Sequence, residues 1–116
     1  MNMIILGVML TIINPVIEEW FWRVFLYECF KRREFEKWLV SAFYASYHFV
    51  TFEFYSGELL VALISVIGIW ILGRIFVFIK EHFGFLTAVL FHVGVDAGVC
   101  LSSYLIMLEW PPVRNA

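Results

Sequence analysis

The stretch Pro15-Val16-Ile17-Glu18-Glu19-Trp20-Phe21-Trp22-Arg23 decides how this chain is read. Two adjacent glutamates and an arginine interrupt an apolar run that extends from residue 3 to residue 29. A charged side chain in a bilayer-spanning helix costs several kcal/mol unless it is paired, hydrated or turned toward protein. Such residues are functional candidates, and the rest of the chain is searched for their partners.

Composition supports the membrane setting. The chain has 116 residues, 63 % of them hydrophobic, and a mean hydropathy of +0.89. That excess of Phe, Trp, Ile and Leu is more than a single small soluble domain can bury. The net charge is −2, with no basic patch or acidic tail, which argues against a nucleic-acid partner. No basic n-region or small-residue cleavage site accompanies the first apolar run, so it is expected to stay in the mature chain. Cys29 and Cys100 have no metal-ligand or CxxC spacing and read as unpaired thiols.

Outward from the glutamates, the apolar segments number four: residues 3–29, 38–54, 59–78 and 85–108. Each is separated from the next by a charged or turn-forming stretch. Residues 31–37 read as a short charged loop, 55–58 as a turn and 80–84 as another. The first segment contains Asn14-Pro15, which predicts either a kink before Glu18 or a fresh helix capped by Asn14. The chain is expected to be all-α, one domain over residues 1–116, a polytopic bundle of four transmembrane helices. Lys31, Arg32, Arg33, Lys37, Arg74 and Lys80 cluster at one end, so the positive-inside rule puts that end in the cytoplasm and both termini outside.

Depth ties three segments together. Glu18 lies eleven residues before Cys29, His48 eleven after Lys37, and His92 ten after His82. Each is thus roughly 15–17 Å from the same face of the bundle, at 1.5 Å per helical residue. A shared intramembrane site would produce this coincidence.

Glu19 and Arg23, spaced i, i+4, can form an ion pair on one helix face. Glu18 points about 100° away with Trp22 as its i+4 neighbour. With no fixed cation of its own, it is the carboxylate left to exchange a proton. His48 has Tyr44 four residues before it, and His92 has Asp96 four residues after, a pair able to fix the imidazole tautomer. Glu18, His48, His92 and Asp96 could activate a water and stabilise an oxyanion. They could equally offer two nitrogens and two carboxylates to a divalent metal such as zinc, although no HExxH motif is present.

The three patterns together carry a resemblance. Glu18-Glu19-x-x-x-Arg23, Tyr44-x-x-x-His48 and His92-x-x-x-Asp96, in this order, resemble the EExxxR, FxxxH and HxxxN/D motifs of the CPBP (Abi) family. That family includes type II CAAX prenyl endopeptidases and bacteriocin self-immunity proteins. The resemblance implies a four-helix intramembrane protease core without a required cofactor, acting on a peptide or prenylated protein within membrane lipid. It assigns Glu18 and His48 to water activation, His92 and Asp96 to the oxyanion, and Glu19 and Arg23 to support of the site. With the basic end in the cytoplasm, the catalytic site is expected nearer the cytoplasmic side of the cell membrane. Tyr44 stands where the family has Phe, and Asp96 where the CAAX enzymes have Asn. Family members usually carry further helices before this core, so a chain truncated at its N-terminus is one expectation.

Other readings stay open. Glu18, Glu19 and Arg23 alone form a self-satisfying ion cluster, His48 alone fits a bond to a backbone carbonyl, and His92 with Asp96 fits an interhelical clamp. A non-catalytic self-immunity or membrane interaction protein, and a proton or metal carrier, are the functional alternatives. His82 reads as solvated. Trp38, Phe54, Phe83 and Trp110 read as interface anchors. Gly68, Gly73 and the pair Gly94/Gly98 read as sites of close helix packing.

Overall fold

The computed structural model describes residues 2–30 and 33–109. Lys31 and Arg32, and Trp110, Pro111, Pro112 and Arg114, lie outside the described residues, as does the side chain of Phe54. Among the described residues every element is helical. We label the helices α1 (residues 3–30), α2 (Glu34–Ser56), α3 (Leu59–Phe83) and α4 (Phe85–Glu109). Three of them, over Ile4–Phe30, Leu59–Phe83 and Phe85–Leu105, are long and apolar enough to cross a membrane.

Helix α1 does not restart at Asn14-Pro15, since Ile13 and Asn14 both keep right-handed helical angles. Instead the helix widens into a π-turn over Met9–Ile13, in which the Asn14 N–H reaches back five residues to the Met9 carbonyl. The widened turn absorbs the donor missing at Pro15, and Asn14 keeps helical angles of φ −60° and ψ −47°. A second π-helical stretch covers Trp20–Leu26, immediately after the two glutamates, and contains Arg23. Such wide turns interrupt α-helices mostly at functional sites.

The charged residues between α1 and α2 are not all loop. Glu34–Lys37 form the first turn of α2, where Glu36 Oε2 accepts the Arg33 N–H at 3.1 Å. Two acidic residues in that turn also complement the helix dipole. Likewise Lys80, Glu81 and His82 belong to the last turn of α3. Gly57 and Gly84, at φ +62° and +90°, make the two tight reversals that follow.

Packing is closest between α2 and α3. A Cβ at Gly73 would meet Tyr44 Cδ1 at 3.0 Å and Ser41 Cβ at 3.3 Å, so glycine sets their separation. Gly68, Gly94 and Gly98 have no such neighbours, and their faces point away from the bundle. Helix α4 packs against α3 and against the first half of α1. One end of the bundle is tied by charge: Lys37 Nζ lies 2.7 Å from Glu81 and 2.9 Å from Glu34, and Arg74 Nη2 lies 2.7 Å from Glu34. Tyr27 donates to Glu81 as well, which joins α1, α2 and α3 at that end.

The interior is small and partly polar. Tyr27, Val40 and Val77 form an apolar cluster, but Glu18, Glu19, Arg23, Ser41 and His92 are buried too. Large apolar side chains such as Ile17, Leu60, Ile64 and Leu90 face outward. This inversion suits a lipid solvent, which exerts no hydrophobic force between helices and leaves polar contacts and close packing to join them.

Candidate active site

His92 of α4 is the centre of the site and is only 3 % exposed. Its Nδ1 lies 2.8 Å from Glu19 Oε1, so Nδ1–H donates to that carboxylate. Its Nε2 faces Glu18 Oε2 at 3.7 Å and Asp96 Oδ1 at 3.6 Å, with the Tyr44 hydroxyl at 3.4 Å. The ring stacks on Phe76 of α3, 4.6 Å between centroids, which holds its plane. The partner that fixes the tautomer is therefore Glu19 and not Asp96. Asp96 approaches the other nitrogen, beyond hydrogen-bonding distance.

Glu19 and Arg23 form the expected i, i+4 pair, 3.5 Å apart and almost wholly buried. The Arg23 guanidinium also lies 4.0 Å from the centroid of the Tyr44 ring and 4.9 Å from that of Phe76, a cation held between aromatic faces. Glu19 thus has two duties, as the counter-ion of Arg23 and as the acceptor of His92. That coupling connects the first helix to the last.

Glu18 is 8 % exposed, and its two oxygens differ. Oε1 accepts a hydrogen bond from Asn14 Nδ2 at 2.6 Å and another from the Tyr47 hydroxyl. Oε2 is buried and has no hydrogen-bond partner among the described residues. Neither donor is evident in the sequence as a site residue. Asn14 lies four residues before Glu18, on the same helix face, which is a signal that spacing could have supplied. Tyr47 comes from another helix and could be found only in three dimensions. Trp22 stacks on Tyr47 at 5.6 Å and abuts Tyr44 edge-on at 5.9 Å, so it braces the tyrosine that donates to Glu18.

His48 lies beside this centre. Its Nδ1 is 2.9 Å from the Tyr44 carbonyl, and its ring packs 4.1 Å from that of Tyr47. Donation from Nδ1 to a carbonyl puts the acceptor lone pair on Nε2, the tautomer of a potential base. The backbone bond and a role in the site are thus compatible. His82, by contrast, is exposed at the end of α3, bonded to the Phe78 carbonyl at 2.9 Å. Cys29 and Cys100 are free and exposed. Among the described residues no three His, Cys, Asp or Glu side chains are grouped to hold a metal ion.

A helical membrane protein with buried carboxylates and imidazoles meeting between its first, second and fourth helices is the class that fold and site define. Sequence comparison supplies the family: the model for type II CAAX prenyl endopeptidase Rce1-like proteins matches residues 1–98, which include every site residue named above. The chain belongs to that family of CAAX-type intramembrane proteases. No curated protein and no solved structure matches it.

Proposed function

We propose that this chain is an intramembrane endopeptidase that cleaves a peptide bond near the C-terminus of a membrane-associated, prenylated substrate. The observation that carries the reading is the asymmetry of Glu18, with one oxygen held by two donors and the other buried, unpartnered and turned toward His92. That is a carboxylate placed to move a proton.

In this mechanism Glu18 takes a proton from a water that His48 helps to orient. The resulting hydroxide adds to the scissile carbonyl carbon, and the carbonyl π electrons move onto oxygen. His92, with Asp96 beside its Nε2, stabilises that oxyanion. Such donation uses a proton on Nε2 in addition to the one on Nδ1 that is hydrogen-bonded to Glu19. Collapse of the intermediate re-forms the carbonyl, breaks the C–N bond and returns the proton from Glu18 to the departing amine. Glu19 and Arg23 hold His92 in place. The sequence of steps moves one proton out and back and needs no metal.

All four helices cross the bilayer in this reading. Helix α2 begins at the end where Lys37 and Tyr27 meet Glu81, and the short link at Gly57 joins its other end to the start of α3. Since α3 is long enough to span, α2 runs alongside it over the same depth. The basic residues of the tied end favour the cytoplasmic side, and the site opens toward it.

The test is cleavage of a farnesylated C-terminal peptide in liposomes by wild type and Glu18→Gln, with and without a chelator. Cleavage lost in Glu18→Gln and indifferent to chelator is expected. Chelator sensitivity would replace this mechanism with a zinc-dependent one. A folded wild type that cleaves nothing would remove the prenyl-substrate reading and favour a self-immunity type of binding role.

A further inference from the structure

Among the described residues Glu18 has donors on one oxygen only, and they come from two different helices. Asn14, one turn earlier on α1, donates at 2.6 Å, and Tyr47 of α2 donates to the same Oε1. Two donors on one oxygen hold a carboxylate against rotation about its terminal bond, a torsion that is otherwise broad. They also decide which oxygen is left over. Here the remaining oxygen, Oε2, is the one 3.7 Å from His92 Nε2.

Tyr47 is itself held firmly. Its ring stacks on Trp22 with an interplanar angle of 8°, abuts Tyr44 at 6.1 Å and packs on His48 at 4.1 Å. The same side chain therefore touches the carboxylate and the imidazole that the proposed mechanism pairs. Asn14 begins the α-helical stretch Asn14–Glu19, which places it one turn before Glu18 on the same face.

We propose that Tyr47 and Asn14 are positioning residues that occupy Oε1 of Glu18 and reserve Oε2 as the atom that accepts and returns the proton. The proposal rests on the proteolytic reading of Glu18, but it concerns an arrangement that can be measured without cleavage.

Tyr47→Phe removes the hydroxyl and keeps the ring and its stack on Trp22, so the fold should survive. Asn14→Ala is an independent second variant. With a farnesylated peptide as substrate, each is expected to lower kcat about tenfold with KM unchanged, the worth of one hydrogen bond to a charged group. The double variant is expected to lose more than the product of the two, because the last donor on Oε1 is gone. The second readout is labelling by dicyclohexylcarbodiimide, an apolar carboxyl reagent, located by mass spectrometry to Glu18 or Glu19. Labelling of Glu18 is expected to rise severalfold in each variant, and that of Glu19 to stay constant. Unchanged kcat in Tyr47→Phe would overturn the proposal. So would unchanged labelling of Glu18 together with a lowered Tm, which would make Tyr47 a packing residue. If a folded wild type cleaves no peptide, the labelling alone decides: a rise supports the arrangement while the proteolytic reading fails, and no rise overturns both.

Discussion

Glu19 Oε1 accepts the Nδ1–H of His92 at 2.8 Å, across 73 positions of sequence, and the same oxygen lies 3.5 Å from Arg23. One buried oxygen thereby joins the first helix to the last and orients the imidazole that faces Glu18. In the proposed mechanism Glu19 does not meet substrate, and its loss is expected to lower both stability and activity.

Glu19→Ala leaves Arg23 buried without its counter-ion. Breaking a buried pair by removing one partner costs about 3–5 kcal/mol. We expect a large fall in Tm in detergent and loss of cleavage. Removing both charges, in Glu19→Leu/Arg23→Met, should restore much of the Tm but none of the cleavage, because His92 still lacks its acceptor. Equal losses of Tm in the single and double variants would contradict this account.

Asp96 Oδ1 lies 3.6 Å from His92 Nε2. An ionised carboxylate cannot donate a hydrogen bond to an oxyanion, whereas an amide can. Asp96→Asn, which supplies a donor, is therefore expected to retain or raise kcat, and Asp96→Ala, which takes away the group beside His92 Nε2, to lower it. A steady-state comparison of the two variants decides. A loss in Asp96→Asn as deep as in Asp96→Ala would mean that the negative charge itself is needed.

Gly73 and Gly68 lie on the same helix and should respond oppositely to alanine. At Gly73 the new methyl meets the buried Tyr44 ring and Ser41, neither of which has room to yield. Overpacking costs about 1–3 kcal/mol and outweighs the roughly 1 kcal/mol of helix propensity gained. At Gly68 nothing lies within 4 Å, so the gain in propensity stands alone. Thermal unfolding should show Gly73→Ala destabilised, with weakened activity through Tyr44, and Gly68→Ala neutral or stabilised.

At the tied end, Lys37 and then Arg74 hold the Glu34 carboxyl below its ordinary value of 4.5. A carboxylate whose folded pKa is depressed contributes stability that is complete above its unfolded pKa. That contribution is lost as pH falls through the folded one. We expect Tm to decline below pH 4.5 and the part due to Glu34 to disappear from the profile of Glu34→Gln. Because the group is exposed, salt should shrink the difference.

Much of this protein is legible in order along the chain. Four apolar segments, three polar motifs and their common depth follow from residue type and a rise of 1.5 Å per residue. The membrane setting follows from composition, and the family from the three motifs. Local rules also place Glu19 opposite Arg23 and His48 under the Tyr44 carbonyl, since both relations are a single helical turn.

Which groups meet across helices follows from how the helices pack. Helices α3 and α4 are apolar nearly all round, so their sequences contain no polar stripe to fix rotation about the axis. Rotation of α4 determines whether His92 meets Glu19, and that of α2 against α1 whether Tyr47 reaches Glu18. It also sends Gly94 and Gly98 outward while Gly73 lies against Tyr44. The continuity of α1 through Pro15 was likewise undecided, because a missing donor can be absorbed by a kink, a restart or a wider turn. The structure takes the wider turn, over Met9–Ile13.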